Sequence, residues 1–174
     1  TENELLTLRT FDSRLQGHPT PEFPYADVTT GSLGQGLSVG VGMAMGLQKK
    51  FQISNFKFQI PHVYVLLGDS EFAEGQNYEA LQLAGHYKLS NLIAILDVNR
   101  LGQRGETQLA WDTETYTKRV ESFGWDTVVI ENGNSLNEVL AVYAQSLTVE
   151  RKKPLMIIAK TKKGAGVKFM EDKD

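Results

Sequence analysis

Two short segments carry residue types and spacing suited to chemistry. Gly68-Asp69-Ser70 closes one apolar run and Asp97-Val98-Asn99 closes the next. Asp69 and Asn99 stand thirty positions apart, about one strand–helix–strand crossover. That spacing can bring a carboxylate and an amide to the same edge of a parallel sheet. Two hard oxygen donors at such an edge, beside a helix N-terminus near Glu71, suit a magnesium ion carrying a diphosphate. The turn after Asn99 adds a backbone carbonyl, most simply that of Leu101. Gly68 lets the backbone approach a ligand closely. Each segment alone reads more simply as a turn former, and even for the pair the two readings stand level on pattern alone.

The elements that must position these residues alternate between strand and helix. Residues 3–15 read as a helix with Leu5, Leu6, Leu8 and Phe11 on one face, ended by Gly17-His18-Pro19. Residues 29–36 are a turn running into a small-residue helix through about residue 50. Strands are expected at 60–68, buried on both faces, and at 91–97, 125–130 and 154–160. Helices are expected at about 72–87, 113–123 and 136–149, the last with Ser135 as N-cap. Residues 100–111 read as a loop and residues 162–174 as a polar tail. The pattern predicts a doubly wound α/β fold, a mostly parallel sheet with helices on both faces.

The chain of 174 residues suits one domain, and its net charge of −3 gives no nucleic-acid footprint. There is no cysteine, which removes disulfides, thiolate metal sites and cysteine nucleophiles. The longest apolar and small run, residues 37–47, is well short of the ~20 residues a membrane span needs. Glu2 and Glu4 replace the basic start of a signal peptide. The expectation is a cytoplasmic protein with no membrane contact. The series Gly34, Gly36, Gly40, Gly42 and Gly46 lacks the preceding strand and the spacing of a dinucleotide fingerprint, so it reads mainly as close helix packing. His62, His86, Trp111 and Trp125 read as structural.

The segment from Gly68 to Gly75 (Gly-Asp-Ser-Glu-Phe-Ala-Glu-Gly), then Glu79-Ala80, Lys88-Leu89, Asn91-Leu92 and 97–103, resembles the thiamine-diphosphate motif of transketolases. Gly17-His18-Pro19, residues 29–36 and residues 159–164 resemble transketolase segments in the same order. The resemblance implies the diphosphate-binding domain of that fold, occupying residues 1–174 and incomplete at both ends. It implies Asp69, Asn99 and the Leu101 carbonyl as ligands of Mg2+, with Ca2+ or Mn2+ as substitutes. Gly31, Ser32, Leu33, Gly68, Ser70, Asn99 and Lys163 would hold thiamine diphosphate, His18 would face the reacting sugar, and Glu74 and Glu79 would lie at a subunit interface. Read from the residues alone, those two glutamates with Glu71 form a solvated acidic face placed well for the helix dipole. Lys160, Lys162 and Lys163 form a basic tail.

The implied activity is transfer of a two-carbon ketol unit from a ketose phosphate to an aldose phosphate, with the cofactor as electron sink. It needs a pyrimidine-domain chain or further C-terminal domains in a homo- or hetero-oligomer. Ser70 departs from the family's usual glycine, and histidines that the family carries before and after these segments have no counterpart here. The alternatives are a related thiamine-diphosphate enzyme, such as a dihydroxyacetone synthase or a ketoacid dehydrogenase component, or a non-catalytic cofactor- or partner-binding module.

Overall fold

The computed structural model describes residues 1–53, 60–148 and 150–173. Its frame is a four-stranded parallel sheet in the order β1-β2-β6-β5: β1 (Val63–Gly68), β2 (Leu92–Val98), β6 (Leu155–Lys160) and β5 (Asp126–Ile130). β2 and β6 are apolar almost throughout and buried on both faces, as central parallel strands require. Connections of helix length join successive strands, so all the strand tips carrying the candidate residues emerge at one edge. A separate two-residue antiparallel pair, β3 (Leu101–Gly102) with β4 (Gly105–Glu106), folds out of the segment read as loop.

Helices α2 (Gln35–Ile53), α3 (Gly75–His86) and α4 (Thr113–Ser122) supply Leu37, Val41, Ala80, Leu81, Tyr116 and Val120 to the core on one face. Helix α5 (Leu136–Thr148) covers the other face with Val139, Val142 and Tyr143 against Ile93, Ile157 and Ile130. Each fully buried aliphatic side chain contributes about 1.5–3 kcal/mol, so the two layers hold the sheet and, through it, the relative position of its tips. Trp125 is 2% exposed and donates from Nε1 to the Leu81 carbonyl at 2.9 Å, which ties β5 to α3. Ser135 accepts from the Glu138 N–H at 3.4 Å, while the Glu138 carboxylate accepts from the Asn132 N–H, so the expected cap is formed. Residue 149, the expected last residue of that helix, and residue 174 of the tail lie outside the described residues.

Three expectations need correction. The N-terminal helix is confined to α1 (Glu2–Leu5) and passes into turns from Leu6, and Arg9 and Asp12, with positive φ of 62° and 63°, break any continuation to residue 15. Leu6 and Phe11 are 82% and 95% exposed, so the apolar stripe is not buried against the domain. Strand β1 is not buried on both faces: it is the sheet edge, and Leu66 is 72% exposed. The glycine series divides. Gly40 packs against the Val65 side chain of the sheet, whereas a Cβ at Gly42 or Gly46 would meet nothing within 4 Å among the described residues.

Candidate active site

The register pairs Gly68 of β1 with Asp97 of β2, so the two strand tips are direct neighbours. Alternation along the strands then decides which way each side chain faces. Val63, Val65 and Leu67 are buried under α2 and α3, and Asp69 continues that face into a cleft of about 250 Å³ shared with Ser70, Arg104, Tyr116 and Arg119. Asn99 continues the opposite face, into a cleft of about 520 Å³ shared with Asp97, Thr161 and Lys163. The two candidate donors therefore occupy one edge of the sheet but start on opposite faces of it.

What joins them is the turn after β2. The Arg100 N–H donates to Asp69 Oδ2 at 2.5 Å, and the Ser70 N–H donates to Oδ1 at 2.8 Å. Arg100 reaches this position with a φ of 65°, a left-handed conformation that is strained for a residue with a side chain. Its guanidinium is held by the Trp111 ring at 4.6 Å, by Glu106 at 3.4 Å and by Asp172 at 3.3 Å. Asn99 Oδ1 accepts from the Leu101 N–H at 3.0 Å, a tight local turn that fixes the amide. Asn99 Nδ2 donates to Asp97 Oδ2 at 3.2 Å, and the Thr161 hydroxyl donates to the other oxygen of Asp97. Asp97 thus orients Asn99 from β2 and ties it to the tip of β6.

Asp69 is 3% exposed. Burial pushes its pKa above the ordinary carboxylate value; the Arg100 and Ser70 N–H groups pull the other way, and the charge of Asp97 adds to the rise. A buried carboxylate with a raised pKa gains from a cation beside it. Among the described residues no group of three His, Cys, Asp or Glu is placed to hold a metal. One carboxylate, one amide and one carbonyl are the kind of oxygen donors that magnesium takes when a diphosphate supplies the rest of its six.

The second half of the site is the turn at 29–33. Thr29, Thr30, Gly31, Ser32 and Leu33 line a cleft of about 260 Å³ that Leu66 and Glu71 complete. Leu66 also lines the cleft of Asn99 and Lys163, so the exposed side of β1 borders both spaces. Gly31 has a φ of 135°, and a Cβ there would lie 2.7 Å from the His18 ring. Glycine is therefore required, and His18 is packed on the turn as an exposed group at its rim. Leu33 is 46% exposed, an apolar side chain open to a ligand or a partner. Glu74, just before α3, is exposed, and Glu79 lies on the first half of that helix.

Residues 1–174 match the family model described as "Transketolase, thiamine diphosphate binding domain". The chain belongs to the transketolase family. It is 44% identical to mouse (Mus musculus) transketolase over 173 residues, covering 99% of this chain and 26% of that protein. It is also 44% identical over 165 residues to a Phocaeicola vulgatus protein named as one subunit of an apulose-4-phosphate transketolase, covering 95% of this chain and 56% of that one. A Pichia stipitis transketolase structure superposes with a TM-score of 0.86 at 34% identity, covering 95% of this chain and 25% of that one. The transketolase domain thus spans about a quarter of the length of the full transketolases it matches. The doubly wound fold expected for it is the one observed.

Three residues of the site are not singled out by pattern. Asp97 reads in the sequence as part of a turn, yet it orients the Asn99 amide. Asn77 is fully buried in α3 and donates to the Glu71 carbonyl at 2.7 Å, a contact that no local signal announces. Glu71, read as part of a solvated face, is half-buried and accepts from two glycine N–H groups, Gly34 at 3.0 Å and Gly68 at 3.2 Å. The Gly68 contact spans only three residues, from the end of β1 to the start of the next turn, and its short separation is the only local signal that could have found it.

Proposed function

We propose that this transketolase domain holds the diphosphate end of thiamine diphosphate through a divalent cation at the paired tips of β1 and β2. The observation that carries the reading is the Arg100 N–H on Asp69, which brings the turn of Asn99 and Leu101 onto the buried carboxylate at that edge. Asp69, Asn99 and the Leu101 carbonyl would bind Mg2+, and Ca2+ or Mn2+ would suit the same oxygen donors. Gly68 and Ser70 would border the diphosphate, Lys163 would approach it from the tail, and Gly31, Ser32 and Leu33 would line the ring portion. His18 would face the sugar. The bound cofactor supplies the electron sink for a two-carbon carbanion equivalent.

The reaction assigned to the assembled protein is transfer of a two-carbon ketol unit from a ketose phosphate to an aldose phosphate. The protein's part is to orient the cofactor, neutralise its phosphates and exclude water around the transferred unit. A pyrimidine-binding domain is needed, in a homo- or hetero-oligomer, with Glu74 and Glu79 at the contact. The Phocaeicola vulgatus relative, named as a single subunit, supports supply of that domain by a separate chain.

Titration of thiamine diphosphate into the intact protein with Mg2+ tests the reading. Asp69→Ala is expected to weaken binding by more than the ~10–100-fold typical of residues that merely orient a ligand. Unchanged affinity in that variant, with the fold intact by circular dichroism, would overturn it.

A further inference from the structure

The carboxylate of Glu71 links two segments that lie far apart in the chain. One oxygen takes the N–H of Gly34, thirty-seven positions away, and the other takes the N–H of Gly68 at the end of β1. Gly34 is buried and directly follows the turn that lines the 260 Å³ cleft, immediately before α2. Gly34 is gripped from a second side as well. Its φ is 84°, and a Cβ there would lie 2.6 Å from the Glu74 Cβ, so the glycine is wedged against the segment that follows Glu71. Glu71 is itself held from behind, by the fully buried Asn77 donating to its carbonyl.

We propose that Glu71 is a positioning residue that sets the distance between the two halves of the cofactor site. The inference rests on the function proposed above. Gly68 marks the tip that would carry the diphosphate, and Gly34 ends the turn that would line the ring. A single carboxylate bridging their N–H groups fixes one against the other before any ligand arrives. Charge-assisted acceptors of this kind are stronger than neutral ones and direct the N–H vectors. Both N–H groups are thereby taken up by Glu71 and are not free for a ligand. Glutamine cannot replace the arrangement in full, because one end of its amide is a donor and would face a donor.

The test has two readouts on the intact protein. Hydrogen exchange of the cofactor-free protein reports the clamp: Glu71→Ala is expected to speed exchange across residues 29–36 and at Gly68 while β2 and β6 keep their protection. Titration of thiamine diphosphate with Mg2+ reports positioning: Glu71→Ala is expected to weaken binding about tenfold and Glu71→Gln by less, with the midpoint of thermal unfolding close to that of the parent. Unchanged exchange across 29–36 overturns the clamp. Faster exchange with unchanged cofactor affinity overturns the positioning role and leaves a purely structural bridge. Failure of the parent protein to bind the cofactor would instead strike the functional reading, and the exchange result would still report on the clamp.

Discussion

The two halves of the candidate site are built by different means. The half at the tips of β1 and β2 is held by the sheet. Asp69, Asp97, Asn99 and Arg100 lie within or directly after paired strands, and a network of backbone and side-chain hydrogen bonds joins β1, β2 and β6. The half at residues 29–33 is exposed, lies outside the sheet and is tied to it at its end by Glu71 and Gly34. Under the proposed function, the difference teaches that the domain preorganises the part that would face charge and leaves the part that would face the ring open. Phosphate and metal recognition requires fixed donors at fixed distances, whereas an apolar wall such as Leu33 gains its packing only when ligand or partner covers it.

Changes at the strand tips should therefore reach further than changes at the turn. Asp97→Ala frees the Asn99 amide and the Thr161 hydroxyl together, and cation-dependent cofactor affinity is expected to fall about 10–100-fold by calorimetric titration. A smaller loss would show that the Asn99–Leu101 contact alone orients the amide. Gly31→Ala at the turn forces a side chain into the His18 ring and a strained φ. An effect of about tenfold or less on cofactor affinity is expected, with exchange at the strand tips unaltered. If the tips loosen as well, the halves are not separately built.

The smallest effect concerns pH. The folded-state pKa of Asp69 is raised, so the folded protein holds its proton more tightly than the unfolded chain. The stability it contributes is fully present below the unfolded carboxylate pKa and is lost as pH rises through the folded value. In the cation-free protein, Asp69→Asn is expected to remove this part of the pH dependence, so that thermal midpoints at neutral pH fall less from their acid-side values than in the parent. Mg2+ competes with the proton at the same carboxylate, so its affinity in the parent is expected to rise with pH over that window.

Much of the frame was legible because its signals are local. The runs ending at Gly68 and Asp97 gave strands that shifted by only a few residues, and the crossover length correctly put Asp69 and Asn99 at one edge. The N-terminal helix ends far short of its apolar pattern because its stripe of leucines and Phe11 stays exposed, and periodicity cannot show whether a partner face exists. The double burial assigned to β1 failed for a related reason. An apolar run is compatible with a central or an edge strand, and the order β1-β2-β6-β5 places this one at the edge.

The sequence by itself determined that Asp69 and Asn99 follow consecutive strands, and the family to which the chain belongs. Only the tertiary structure decided that Asp69 and Asn99 leave opposite faces of the sheet, that Asp97 orients one of them, and that Glu71 turns inward to Gly34. The reason is physical. Secondary structure follows from patterns over a few residues, whereas contacts spanning 31, 37 and 64 positions exist only once register and layer packing are set.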